Sequence, residues 1–482
     1  MTGRLLARLF DFLTLLVLAR LLTPEDFGTV AVAMTLLYIV EALLEMPVNQ
    51  AIVRLSVVQQ SHLDTAFTLA LIRGVAIASI IIALAWPYAA FNHDDRLVGL
   101  LCALSIAPAI RALSSPRLAM FSRNLDFRPD CLLDFCGKSA AFVTAGTVAV
   151  LHGHYWALAA ATIAGPVVAT IISYIVAPYR PRLTLVDSAV FTNLLLWNTA
   201  NQFLSAFIWQ IDRLVLGRYS PREQLGHYTV ATDLASLPNQ SLIGMFWRPS
   251  IAAFASVQHD PQRLASAYTK TLSAILMTGA PLLVGLGLLS GPIVTVLLGP
   301  AWGATASLLS IFCISRFIVL FGAPLSACAI ALNRSEANAV LSLMILAVKL
   351  PLTLIGYQYY GINGVLAAVI AGDVVLAVGG MLIGGRLAGV TMTDQLFAAW
   401  RPLAACLAMA VAIVMTFGFL QDVAPGLELA IKLASAIAFG GTVYVACLFA
   451  LWKLSGEPDG ADGMIFEFVL LTAAKLFRRT AS

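Results

Sequence analysis

Four cationic side chains stand deep inside long apolar stretches: Arg73, Arg111, Arg316 and Lys349. A charge at such depth in a bilayer is costly, so it faces a bundle interior or a water-filled cavity. Two readings are open. One is a structural ion pair with an acid of another apolar stretch, for which Asp11, Glu41, Glu45, Asp134, Asp212, Asp233, Asp373 and Glu428 are candidates. The other is a wet cavity built to receive an anion, since a guanidinium presents a planar fork to phosphate or carboxylate. The other in-span cations, Arg8, Arg20, Lys138, Arg213, Arg401 and Lys432, lie nearer the stretch ends, where they can snorkel. A polar stripe runs through Asn198, Asn201, Gln202, Ser205, Trp209 and Asp212, largely at steps of three or four residues, so one helix face is polar. It reads either as interhelical hydrogen bonding or as the wall of a cavity. Asp233 and Asp373 are candidates for ion coupling, because no Walker motif offers direct use of ATP. No metal or cofactor is expected. The six His do not cluster beyond His152 and His154, and Cys131 and Cys136 are too far apart for a CxxC site.

The elements that must position these groups follow from composition. Of 482 residues 60% are apolar and only 11% charged, and mean hydropathy is +0.89. A soluble chain of this size could not cover its surface with so few charges. Soluble enzymes, nucleic-acid binders and disordered scaffolds are thereby excluded. A bilayer-crossing helix needs about 20 apolar residues, and fourteen stretches qualify, from 5–22 to 428–452. The basic, apolar N-terminus is read as a first span and not as a signal peptide, since Asp11 interrupts it and no small-residue cleavage site follows. With the N-terminus inside, sixteen Lys and Arg fall in loops on the cytoplasmic side and three (Arg96, Arg218, Arg222) on the other. That bias places both termini in the cytoplasm. Every loop is short, so none holds a catalytic domain. After a polar linker, the run from Met464 to Phe477 reads as a helix lying on the inner membrane surface.

The hairpin Leu16 to Ala33 (LVLARLLTPEDFGTVAVA) recurs as Leu214 to Ala231 (LVLGRYSPREQLGHYTVA), with eight of eighteen positions identical at an offset of 198. Arg20 pairs with Arg218, Glu25 with Glu223 and Gly28 with Gly226. An offset of six spans keeps the orientation, so the repeats are parallel and related by an axis along the membrane normal. The expected fold is an all-α integral membrane protein of about fourteen transmembrane helices, in two pseudo-twofold-related six-helix lobes plus two C-terminal helices. The divisions are 1–185 (spans 1–6), 186–390 (spans 7–12), 391–452 (spans 13 and 14) and a cytoplasmic amphipathic tail at 453–482. Transporter sites sit between such repeats, so the organisation points to transport.

The motif Ala19 to Gly28 (ARLLTPEDFG) resembles the polysaccharide exporters of the MOP superfamily, the Wzx-type flippases of lipid-linked oligosaccharides. Arg123 to Arg128 (RNLDFR), Tyr179 to Leu183 (YRPRL), Asp212 to Gly217 (DRLVLG) and Leu298 to Trp302 (LGPAW) resemble further family stretches, in order, over about residues 10–450. Fewer residues precede span 1 than is usual in that family. The resemblance implies a V-shaped two-lobe fold with alternating access. It implies movement of an undecaprenyl-pyrophosphate-linked oligosaccharide repeat from the cytoplasmic to the periplasmic leaflet of the bacterial inner membrane, for capsular, extracellular or O-antigen polysaccharide. On that basis Arg73, Arg111, Arg316 and Lys349 become a ladder for pyrophosphate, Arg316 foremost. The span-7 stripe then offers hydrogen bonds and an indole face to sugars. The partners so implied are the glycolipid, membrane lipid and the polysaccharide polymerase and co-polymerase machinery, with no nucleic acid. A multidrug antiporter of the same superfamily is the alternative; it predicts an acidic cavity, whereas four deep cations favour an anion. A polymerase or ligase needs a sizeable periplasmic loop, and the loops on that side span roughly four to nine residues. A peptidoglycan-precursor flippase shares the chemistry, but its hairpin is the poorer match.

Overall fold

A computed structural model describes residues 2–456 except 47, 56, 125 and 422–425, without the side chains of 2–8, 49–50, 54, 189–201, 239–245 and 417–421. The C-terminal tail helix expected beyond Met464 lies outside the described residues. Those described form nineteen α-helices and two 3-10 turns, with no strand. Among the described residues, ten helical segments are long and apolar enough to cross a membrane. The chain is a multi-pass membrane protein, and its described regular structure is all helical.

Two compact units divide it, Met1–Thr229 and Val230–Ser482. The first contains α1 (Thr2–Leu21), α2 (Pro24–Leu43), α3 (Val48–Arg54), α4 (Gln60–Asn92), α5 (Arg96–Leu104), α6 (Ile106–Ala112), α7 (Leu118–Arg123), α8 (Arg128–His152), α9 (Trp156–Val176) and α10 (Ser188–Tyr219). The boundary falls within α11 (Arg222–Val257). The second unit continues with α12 (Pro261–Leu288), α13 (Ser290–Leu297), α14 (Gly303–Val319), α15 (Pro324–Ala331), α16 (Glu336–Tyr360), α17 (Ile362–Ala388), α18 (Met392–Gln421) and α19 (Leu427–Leu454).

Each residue of the TPEDFG segment has a physical task at the start of α2. Thr23 caps the helix: its Oγ1 accepts from Asp26 N at 3.3 Å, while the Asp26 carboxylate accepts from Thr23 N at 3.0 Å. Such reciprocal caps satisfy amide donors that the helix leaves over. Pro24 supplies the fixed φ favoured at a first helical position. Glu25 pairs with Arg96 at 3.1 Å, and Asp26 also accepts from Tyr155 N at 3.1 Å, tying α2 to the segment entering α9. Phe27 is buried. Gly28 meets the first turn of α11, where a Cβ would overlap the Arg222 carbonyl and come within 3.1 Å of Gly226 N. The contact is reciprocal. A Cβ on Gly226 would overlap the Pro24 carbonyl and come within 3.2 Å of Gly28 N. The two glycines matched by the internal repeat therefore touch, with local twofold symmetry.

In the second unit α12 packs against α18 and α19. Leu272, Leu276 and Leu283 meet Ala405, Met409, Ile413 and Leu433 in one apolar core, and Tyr444 donates to the Met277 carbonyl at 2.8 Å. The two C-terminal helices are thus integral to this unit. The glycine-rich face of α17 works as close packing: Gly380 lies against Gly322 and Gly384 against Tyr268.

Candidate functional site

Arg73 and Arg111, 38 residues apart in sequence, line one cavity of about 460 Å³ in the first unit. Three elements build it: the C-terminal turns of α2 with the residues that follow, the middle of α4, and α6 with the 113–118 link. Gly74, beside Arg73, lets α4 approach α6 at Pro108 and Ala109, where a Cβ would crowd both. The two arginines are held by two glutamates, Glu41 in the last turn of α2 and Glu45 just beyond its end. Arg73 donates to Glu45 at 2.6 Å and to the Glu41 carbonyl at 3.4 Å. Arg111 donates to Glu41 at 2.5 Å. Each arginine thus has one glutamate carboxylate, Arg73 that of Glu45 and Arg111 that of Glu41. Half of the Arg111 side chain is exposed, and a quarter of that of Arg73. The site thus holds two ion pairs whose arginines are partly exposed to one cavity.

The sequence reading had counted Glu41 and Glu45 among the acids available for pairing without assigning them to this site. Their signal was two carboxylates at i and i+4 in an apolar stretch. As it stands the cavity carries two cations and two anions. An incoming anion competes with carboxylates for guanidinium forks already shaped to hold oxygen pairs.

The other two deep cations lie in the second unit. Arg316 on α14 lies 3.5 Å from Asp373 on α17, and Ser315 Oγ donates to the same carboxylate at 2.5 Å. Lys349 on α16 lies beside this pair. Its methylenes pack on Gly372, where a Cβ would touch them at 3.4 Å, and only 7% of the residue is exposed. A long amphipathic side chain that packs its stem against a small residue brings its ammonium end toward its neighbours. Asp373, read as an ion-coupling candidate, is thus the partner of Arg316. The second such candidate, Asp233, is exposed on α11, with its carbonyl accepting from Ser236 Oγ at 2.8 Å.

The polar stripe lies on α10. The side chains of Asn198 and Asn201 fall outside the described residues. Gln202 is exposed, Ser205 half-buried and Trp209 50% exposed, while Asp212 is buried. An aromatic face is therefore accessible at Trp209, and Asp212 belongs to the packed side of the same helix. Of the cations expected to snorkel, Lys138 instead pairs with Asp11 across α8 and α1, and Lys432 with Glu428 at 2.9 Å.

At the opposite end of α2, Asp94 gathers two cations. Arg96 donates through Nε at 2.9 Å and through a second nitrogen at 3.1 Å, and Arg222 Nε lies 3.3 Å away. Arg222 also donates to the carbonyls of Gly217 at 2.5 Å and Asn92 at 3.0 Å. Burial pushes the Asp94 carboxyl up, but the hydrogen bonds and charge of Arg96, with the charge of Arg222, outweigh it and hold it below the usual carboxylate value.

Among the described residues no group of three or more His, Cys, Asp or Glu is arranged to hold a metal ion. The groups that could bind a ligand are the guanidiniums, the half-buried hydroxyls and the exposed indole.

Known proteins resemble this chain in sequence and in fold. The chain is 24% identical over 357 residues to the lipopolysaccharide biosynthesis protein WzxC of Escherichia coli K12, covering 72% of each chain. It is 25% identical over 319 residues to the succinoglycan biosynthesis transport protein ExoT of Rhizobium meliloti 1021, covering 64% of this chain and 63% of that one. Among solved structures, the lipid II flippase MurJ in an inward closed conformation aligns with TM-score 0.75 and 14% identity, over 94% of this chain and 98% of that one. An inward-facing multidrug MATE transporter of the MOP superfamily aligns with TM-score 0.65 and 17% identity, over 80% and 94%. At those identities the likeness is one of fold, a MOP-type transporter fold. The sequence profile described as polysaccharide biosynthesis protein matches residues 17–307. With more than half of its length inside that match, this chain belongs to the polysaccharide biosynthesis protein family.

Proposed function

We propose that this protein carries an undecaprenyl-pyrophosphate-linked oligosaccharide repeat unit from the cytoplasmic to the periplasmic leaflet of the bacterial inner membrane, for assembly into a surface polysaccharide. The observation that carries this reading is the cavity in which Arg73 and Arg111 converge in a member of this family. A glycolipid of this kind has an apolar tail that lipid can solvate and a glycan that water can solvate. Its pyrophosphate is the part that needs help, because charge is expensive inside a bilayer. Two guanidiniums in a water-accessible hollow supply that help, with Glu41 and Glu45 holding them in place until phosphate oxygens displace the carboxylates. Arg316 and Lys349 are the later rungs of the same path, and Trp209 with Gln202 and Ser205 offers stacking and hydrogen bonds to the sugars. The chain acts as a transporter and performs no covalent chemistry.

The positive-inside bias supports both termini in the cytoplasm. The repeat supports two six-helix lobes, 1–185 and 186–390, within about fourteen spans, followed by 391–452 and a tail at 453–482. A proton or sodium gradient acting through Asp373 or Asp233 is the proposed energy source. The polymerase and co-polymerase machinery is the proposed receiver of the product.

Deletion of the gene, with mass spectrometry of organic-soluble polyprenyl lipids and assay of surface polysaccharide, tests this. Loss of the polysaccharide, with single lipid-linked repeats accumulating on the cytoplasmic side, is the expected outcome. Persistence of exported chains, with a change only in drug sensitivity, replaces the reading with a small-molecule exporter.

A further inference from the structure

A second hollow of the first unit, about 520 Å³, is lined by Gln60, Arg117, Tyr174, Tyr179, Arg180 and Arg182, with Pro178. Its floor is fixed by a hydrogen-bond network. Arg117 donates to the Pro178 carbonyl at 2.8 Å and to Gln60 Oε1 at 3.3 Å. Gln60 Nε2 donates to Asp64 at 3.1 Å, and the Tyr179 hydroxyl donates to the same oxygen at 2.6 Å. Burial, with the Asp64 carboxylate it serves, holds the Tyr179 phenol above its usual range, so it stays a donor. Arg180 and Arg182 are left over: both are exposed, and neither guanidinium forms an ion pair among the described residues. Two uncompensated guanidiniums at the rim of a polar, structured hollow attract an anion.

The wall behind this hollow belongs to the Arg73 and Arg111 cavity. In the 114–118 segment, Arg117 turns to the outer hollow while Ser114, Ser115, Pro116 and Leu118 line the inner one. Phe67 lines the inner cavity and packs on the Tyr179 ring at 5.7 Å between centroids. Arg117, Arg180 and Arg182 all belong to the loops that the charge bias assigns to the cytoplasm, where lipid headgroups carry negative charge.

We propose that this outer hollow docks the phosphate-bearing headgroup of a lipid in the cytoplasmic leaflet, one wall away from the Arg73 and Arg111 cavity. The phosphate belongs either to the polyprenyl pyrophosphate awaiting transport or to a bulk anionic phospholipid. The proposal rests on the orientation and substrate class argued above. In either case Arg180 and Arg182 bind the phosphate oxygens, Tyr174 and Tyr179 flank the headgroup, and the lipid chains remain in the bilayer.

The test uses the full chain in phosphatidylcholine nanodiscs, titrated separately with phosphatidylglycerol and with undecaprenyl pyrophosphate, and scored for lipid adducts by native mass spectrometry. Loss of two surface guanidiniums worth about 1 kcal/mol each weakens the adduct by about tenfold or more in the Arg180→Gln/Arg182→Gln variant. Retention of wild-type adducts by that variant, with both lipids, overturns the proposal. Preferential loss of the pyrophosphate adduct marks the hollow as a waiting site for substrate. Equal loss of both marks a general phospholipid site. The Arg180→Lys/Arg182→Lys variant keeps the charge and controls for folding, and it retains part of the adduct. Failure of the wild-type protein to move a lipid-linked repeat in proteoliposomes sinks the flippase reading without touching this adduct assay, so the two failures are distinguishable.

Discussion

Two clusters of buried cations use the same residue types in opposite ways. In the first unit Arg73 and Arg111 face water and are held by carboxylates that are 32% and 17% exposed. In the second unit Arg316 and Asp373 are sealed, with side chains 10% and 13% exposed. An ion pair beside water is weak and exchangeable, because solvent screens it and can replace either partner. A sealed pair is costly to form and costly to break, because removing one partner strands the other charge. The difference teaches that depth in the sequence pattern does not rank these cations for ligand binding. Accessibility separates them: Arg73 and Arg111 are the more exposed, Arg316 the more enclosed.

The largest effect that can test this contrast is on folding. Arg316→Ala should cost about 3–5 kcal/mol by stranding Asp373, read as a sharp loss of thermal stability and yield of the purified protein. The Arg316→Met/Asp373→Leu variant should recover most of that loss. Normal stability of Arg316→Ala with abolished export would instead give Arg316 a direct role with substrate.

Next in size is transport without unfolding. Arg73→Ala and Arg111→Ala should each change stability by no more than about 1 kcal/mol, as expected for partly exposed pairs. Flux of the lipid-linked repeat should nonetheless fall about tenfold or more, because a charge-assisted phosphate contact is gone. Unchanged flux in both variants breaks the comparison.

A smaller, opposite effect should follow from freeing the cation. Glu45→Gln removes one competitor for Arg73 and should tighten pyrophosphate binding about threefold, the worth of a pair near 0.7 kcal/mol. Asp373→Asn should give no such gain, since Arg316 stays sealed. Isothermal titration with a short-chain polyprenyl pyrophosphate separates the two.

The smallest effect concerns Asp94, an ion cluster without a cavity. Its folded value is depressed, so its stabilisation is complete above the ordinary carboxylate value of about 3.9 and disappears as pH falls through the lower folded value. Melting temperatures taken down to acid pH should show that loss in the wild type and a flatter profile in Asp94→Asn. Identical slopes would deny the cluster any part in acid sensitivity.

Much of the architecture was legible in the sequence, because a bilayer demands long apolar helices and tolerates few charges. The helical class, the membrane setting and the four deep cations came directly from that demand. The hairpin repeat was legible because eight of its eighteen positions are identical at a fixed offset. Pairing was the part that stayed hidden. Whether Arg111 meets Glu41, or Arg316 meets Asp373, depends on packing between residues 70 and 57 positions apart in sequence, and helical periodicity carries no information about that. Lys138 illustrates the same limit: its position near a span end suggested snorkelling, while packing of α1 on α8 supplied Asp11. The outer arginines were read only as topology signals, since nothing in YRPRL reveals that its rim encloses a hollow.

The reciprocal contact of Gly28 and Gly226 has a consequence for how such a chain changes over generations. Duplication ordinarily frees one copy of a segment to drift while the other keeps its task. Here each glycine lies against the turn that carries the other: a methyl group on Gly28 would overlap the Arg222 carbonyl and one on Gly226 the Pro24 carbonyl, with the partner glycine's amide pressed close behind. No compensating change is open to the partner, which has no side chain left to shed. The two positions are therefore bound into one heritable unit across 198 residues. An alignment of relatives should show them lost together or not at all, even where the surrounding hairpins have long since diverged.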